Sequence, residues 1–174
     1  METAQIWKIV ALHKKWRSGQ PGGRKANLRD ADIREAEFRW DDLTDADLAG
    51  ADLSGADISF GILAGADLSY ARMDKATLYA ANLTGANLSH ASLTYATLER
   101  AQLNSANLAD ANLHNSNINA SLLVDANLQR ADLSHAQLKG ADLTNVDLRG
   151  ANLQHADLTY AVLRGALLEG VIRD

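Results

Sequence analysis

From Leu28 to Leu168 every fifth residue is large and apolar. Of these 29 positions, 24 hold Leu, and the others are Ile33, Phe38, Ile58, Met73 and Ile118. Two residues before each lies a second column, with Ala at 24 of 29 positions and Asp41, Gly61, Ser116, Ser121 and Val146 at the rest. The unit reads A-(N/D)-L-x-x, as in Ala51-Asp52-Leu53-Ser54-Gly55, and no insertion breaks its register. A period of five fits neither regular element. On an α-helix five residues turn through about 500°, which walks successive Leu around every face. On a straight strand an odd period flips each Leu to the opposite side. Within one unit, however, Ala and Leu are two apart and share a side of a short extended triplet, with Asn or Asp between them pointing outward. The other two positions, rich in Gly, Ser, Asp, Asn and Thr, must then turn the chain. Four quarter turns close a square coil of roughly 20 residues around a column of Leu. The 29 units predict about seven coils stacked about 4.8 Å apart, each touching only its neighbours.

Residues 1–25 lie outside this repeat. Between Thr3 and Arg17 the apolar Ile6, Ile9, Val10, Leu12 and Trp16 recur at helical spacing, and Gly19, Pro21, Gly22 and Gly23 stop the pattern. A helix capping the open Leu column is expected, because a bare solenoid end exposes both core and strand edge. A basic amphipathic membrane helix is the weaker alternative. Residues 1–25 hold six basic and one acidic side chain, residues 26–70 three basic and eleven acidic, and residues 71–174 eight basic and ten acidic. The first segment thus complements the coils that follow it. Asp41 stands at an inward position, where a carboxylate is costly unless paired. It is expected to bond exposed backbone amides or the cap, with His13 as the candidate partner. At the other end Val162, Leu167, Val171 and Ile172 add apolar surface to the last coil, and residues 171–174 read as a tail. An open edge is a template for pairing, so a homodimer through the C-terminal ends is one expectation.

Ala occurs 31 times and Leu 27 times in 174 residues, a bias no ordinary globule needs, and aromatics are only 5%. With no cysteine the chain has neither disulfides nor thiolate chemistry. The start, Met1-Glu2-Thr3-Ala4-Gln5, shows no basic leader, and no apolar run has spanning length, so a cytoplasmic location away from membranes is expected.

Residues 26–170, with 29 in-register copies of A-(N/D)-L-x-x, resemble the pentapeptide repeat family. The resemblance implies an all-β solenoid of the right-handed quadrilateral β-helix type, with the central Leu and preceding small residue inward. The hand comes from the resemblance alone. Some members imitate DNA, occupy DNA gyrase and confer quinolone resistance, and relatives that bind gyrase dimerise through their C-terminal ends.

Candidate chemistry is sparse. Ser, His and Asp recur at outward positions, but there is no G-x-S-x-G, no phosphate loop and no H-E-x-x-H, and a filled Leu column leaves no internal pocket. His135 and His155 are one coil apart without an evident third ligand, so neither a metal nor a cofactor is expected. The net charge of −5 and the acidic outward positions disfavour direct nucleic-acid binding. Two surfaces remain as candidates. One is the carboxylates Asp32, Asp52 and Asp57, stacked so that they could imitate a DNA backbone. The other is the aromatic group Trp40 and Phe60, which share a corner column, with Tyr79 beside it; packing of the first helix could equally cover it. The reading is a non-enzymatic solenoid acting as a rigid protein-interaction scaffold, whose partner the sequence does not name. The alternative is a DNA-mimicking binder of a topoisomerase such as DNA gyrase.

Overall fold

The computed structural model describes residues 3–174. The chain opens with helix α1, Thr3–Arg17, which ends in a Schellman motif. Gly19 takes a φ of +67° and its N–H reaches the Trp16 carbonyl at 3.1 Å, while the Gln20 N–H reaches Lys15 at 2.9 Å. Lys14, Lys15 and Arg17 crowd the last turn, where cations are favoured by the helix dipole.

From Asn27 on, the backbone climbs in coils of 20 residues. Each Asn or Asp position forms a parallel bridge with the residue twenty further on, from Asn27 with Asp47 to Asn152 with Ile172. Each face is a ladder of single bridges rather than of regular strands, because the extended triplet is too short for more. The Leu28 N–H donates to the Asp47 carbonyl at 2.7 Å and the Asp47 N–H returns to Ala26 at 3.0 Å, a pair repeated up the stack. The segment 171–174, expected as a tail, carries the ladder on: the Leu153 N–H donates to Ile172 at 2.7 Å.

The corners are made by the last two residues of each unit. The Ala31 N–H closes onto the Leu28 carbonyl at 3.1 Å, and Asp30 between them has a φ of +54°. Positive φ at the third turn residue is the signature of a type II turn. It recurs at every fifth residue from Asp30 to Gly170, and 21 of those positions are not glycine. A non-glycine residue there costs of order 1 kcal/mol or more, so the closed ladder and the Leu column impose the corner on the side chain. Where Asn or Asp precedes the central residue, it compensates locally. Its side-chain oxygen accepts the N–H two residues ahead, as from Thr44 onto Asp42 at 2.9 Å and from Ser134 onto Asp132 at 3.0 Å. The N/D of the repeat is therefore a turn-forming device in the first instance.

Inside, the column from Leu28 to Leu148 is at most 2% exposed. The buried hydroxyls of Ser116 and Ser121, which replace Ala, each donate to a backbone carbonyl at 2.7 Å. At the N-terminal end Ile6 and Val10 of α1 join the same core, and Trp7 lies 5.3 Å from Phe38, centroid to centroid. At the C-terminal end Leu158 and Leu163 are only partly buried, Leu168 is exposed, and a cavity of about 290 Å³ opens beside them.

Candidate interaction surfaces

A side chain at a corner points outward, and its neighbour on the next coil sits one strand spacing of about 4.8 Å away. That distance is close to the separation of stacked rings, so a corner column turns two aromatics into a rigid platform. The Trp40 and Phe60 rings lie 4.1 Å apart with an interplanar angle of 2°, and Tyr79 meets Phe60 edge-on at 5.4 Å. Trp40 is 67% exposed. Helix α1 does not cover it, since Trp7 is spent on Phe38. Large exposed aromatics held in one conformation are what contact surfaces favour.

The acidic group is arranged differently. Asp32 receives Arg34 at two points, 2.8 and 2.7 Å, and this pair holds its carboxyl well down, at about 2. Asp52 lies 3.9 Å from Arg34 and 3.6 Å from Arg72. Burial alone would raise Asp57, but the hydroxyl and amide of Ser59, with Arg39 at 3.3 Å, bring it below the usual range. Each carboxylate of the group thus has a guanidinium within 4 Å. A DNA duplex carries an uncompensated charge every 1.7 Å or so of axis, and this surface alternates sign instead.

Asp41 does not follow the expectation. Its carboxylate makes no hydrogen bond among the described residues, and burial pushes it up against a weak opposing pull from Lys14. His13 is occupied elsewhere: fully buried, it accepts the Ala26 N–H on Nδ1 at 2.9 Å. In later units the same amide closes its corner onto the carbonyl three residues back, as Ala31 does onto Leu28, and His13 takes that place where the first unit begins. Arg17 of α1 pairs with Asp42 instead, at 3.0 Å.

At the far end Val162, Leu167 and Ile172 are exposed, whereas Val171 packs partly against the core. Along one corner the rings of His135 and His155 lie 4.7 Å apart, and Asp174 holds His155 at 3.0 Å. No group of three metal-ligating side chains occurs among the described residues. Sequence reasoning passed over a second stack, Tyr70 on His90 at 4.7 Å, continued by Asp110 and its two-point pair with Arg130. The signal was present, since these residues are spaced by twenty at the fifth position of the unit.

The profile of the family described as pentapeptide repeats matches in eight copies, over residues 24–59, 46–85, 81–119, 111–150 and 136–172. The chain belongs to the pentapeptide repeat family. Among solved structures, HetL from the cyanobacterium Nostoc, a pentapeptide repeat protein involved in heterocyst differentiation regulation, is 28% identical. The match covers 98% of this chain and 96% of HetL with a TM-score of 0.53. A pentapeptide repeat protein of the Arabidopsis thaliana thylakoid lumen is 33% identical over 56% of this chain and 68% of its own, with a TM-score of 0.55. QnrB1, a plasmid-mediated fluoroquinolone resistance protein, shares the fold at 18% identity, a TM-score of 0.51 and coverage of 84% and 85%. These likenesses support the right-handed β-helix solenoid. A search of curated protein sequences gave no match. No helix among the described residues is long and apolar enough to cross a membrane.

Proposed function

We propose that this pentapeptide repeat protein is a non-enzymatic, rigid protein-interaction scaffold of about seven coils, capped by α1, that binds its partner through the corner formed by Trp40, Phe60 and Tyr79. The observation that carries the reading is the flat, exposed Trp40 stacked on Phe60. A rigid aromatic platform gives contact area without the ordering cost of a flexible one. The similarity to HetL, a protein involved in regulation, supports a contact-making role. The open C-terminal coil supports a homodimer through Leu167 and Ile172, and a cytoplasmic setting remains part of the proposal.

The test is capture of partners from the native lysate by the protein, compared with Trp40→Ala and Phe60→Ala on one side and charge reversal of Asp32, Asp52 and Asp57 on the other. Loss with the aromatic variants alone supports the reading; loss with the carboxylate variants alone overturns it. The alternative, a DNA-mimicking binder of a topoisomerase such as DNA gyrase, draws on the acidic first coils, but the arginines interleaved there weaken it. Unchanged gyrase supercoiling in the presence of the purified protein would exclude it. For the dimer, Leu167→Arg with Ile172→Arg is expected to convert a two-chain sedimentation mass to one.

A further inference from the structure

We propose that the cleft between α1 and the first coil receives an arginine side chain of the partner, its guanidinium stacked on Trp40 and paired with Asp41. The inference rests on the scaffold reading above and adds the chemistry of the bound group. The cleft measures about 310 Å³ and is lined from α1 by Trp7, Val10 and Lys14 and from the first coil by Trp40, Asp41 and Asp42. Three features converge in it.

Asp41 breaks an inward column that holds Ala at 24 of 29 positions, and nothing in the fold uses it. It makes no hydrogen bond among the described residues, and Lys14 attracts it without coming within ion-pair distance. A local rule broken without structural compensation is where binding groups are found. Asp42, next to it, is already taken by Arg17 and by the Thr44 hydroxyl and amide, so the free acceptor capacity in the cleft is that of Asp41. Trp40 has one face covered by Phe60 in a parallel stack, which leaves the other face to the cleft. A planar cation satisfies both remaining groups, because it can lie on an indole face and fork onto a carboxylate. A lysine ammonium has no plane to stack. Lys14 tempers the negative potential of the empty cleft and competes with the entering cation.

The test follows the indole N–H resonances of Trp7, Trp16 and Trp40 during titration with Nα-acetyl-arginine amide and with Nα-acetyl-lysine amide. The expected result is a saturable shift of Trp40 and Trp7, with Trp16 unmoved, at a lower concentration of the arginine probe. Asp41→Asn keeps the side-chain shape and is expected to weaken binding by about tenfold, while Lys14→Gln tightens it. Non-saturating shifts, equal binding by Asp41→Asn, or no preference for arginine would overturn the proposal. If Trp40→Ala abolishes partner capture while the arginine probe leaves Trp40 unmoved, the cleft inference fails and the scaffold reading stands. If the probe binds as described but Trp40→Ala and Phe60→Ala still capture the partner, the cleft stands and the aromatic reading fails.

Discussion

At the N-terminal end of the solenoid the inward Leu28, Ile33 and Phe38 are no more than 2% exposed, whereas at the C-terminal end Leu168 is 40% exposed. Both ends cut the same Leu column and the same ladder of backbone hydrogen bonds. The first is covered by a helix that supplies apolar side chains, Ile6 and Val10, for the column and one polar group, His13, for the amide that opens the first unit. The second supplies only Asp174, which accepts the His155 N–H at 2.9 Å and leaves the column open. A repeat leaves core and ladder open wherever it stops, and the two ends of the described residues differ in how much of each is covered.

The largest effect that can break this comparison is a pair of truncations. Phe38→Ala removes a fully buried ring beneath α1 and is expected to cost about 3–5 kcal/mol. Leu168→Ala removes a half-exposed side chain from the open end and should cost less than about 1 kcal/mol in a monomer. Chemical denaturation of both variants measures the ratio. Equal costs would mean that α1 does not protect the column.

His13→Ala comes next. It leaves the Ala26 amide buried without its acceptor, at an expected cost of about 1–3 kcal/mol. Burial, the largest influence, pulls the His13 imidazole below its usual 6.5. The unfolded chain therefore takes up a proton near pH 6.5 while the folded protein resists it. The stabilisation is complete above pH 6.5 and is lost as pH falls below it. A protonated ring would also turn its Nδ1 from acceptor to donor against the Ala26 N–H. Melting temperatures between pH 7.5 and 5 should fall in the native protein and fall less in His13→Ala.

Much of this architecture could be read from the chain, and the limits of that reading have physical causes. The five-residue period forces the square coil because helix and strand both fail it, and the ladder offset of twenty follows. The limits of α1 follow from apolar spacing and from Gly19, whose left-handed backbone ends the helix. The pairing of Trp40 with Phe60 was visible as a spacing of twenty. Its exposure was not, because that depends on where Trp7 packs, and Trp7 follows the shape of Phe38 rather than any repeat. The carboxylates misled for a related reason. Sequence spacing stacks Asp32 under Asp52, but the arginine stems that fold back over them span two residues in one case and eighteen in another. Long flexible side chains do not keep the register of the backbone.

Asp41→Ala is expected to raise stability by about 1–2 kcal/mol, since it removes a half-buried carboxylate that no hydrogen bond compensates and restores the small inward residue of the other units. A lowered melting temperature would instead mean that Lys14 or the cleft stabilises the carboxylate in solution. This substitution sharpens the contrast between the ends, because the protected end alone carries such a cost.

The smallest effect concerns the corners. Tyr160 is 82% exposed with a φ of +61°, near the open end and without a ring stacked on it. Replacing it with glycine relieves a left-handed conformation worth of order 1 kcal/mol and offsets part of that gain by loosening the unfolded chain. Tyr160→Gly should therefore be neutral or stabilising by less than about 1 kcal/mol. Trp40→Gly relieves the same strain at the protected end but also removes a stacked pair worth about 0.5–1.5 kcal/mol. Its change in stability should be the less favourable of the two. If Tyr160→Gly proves the costlier substitution, the exposed ring at the open end has a contact that the single chain does not show, and the dimer interface extends around that corner.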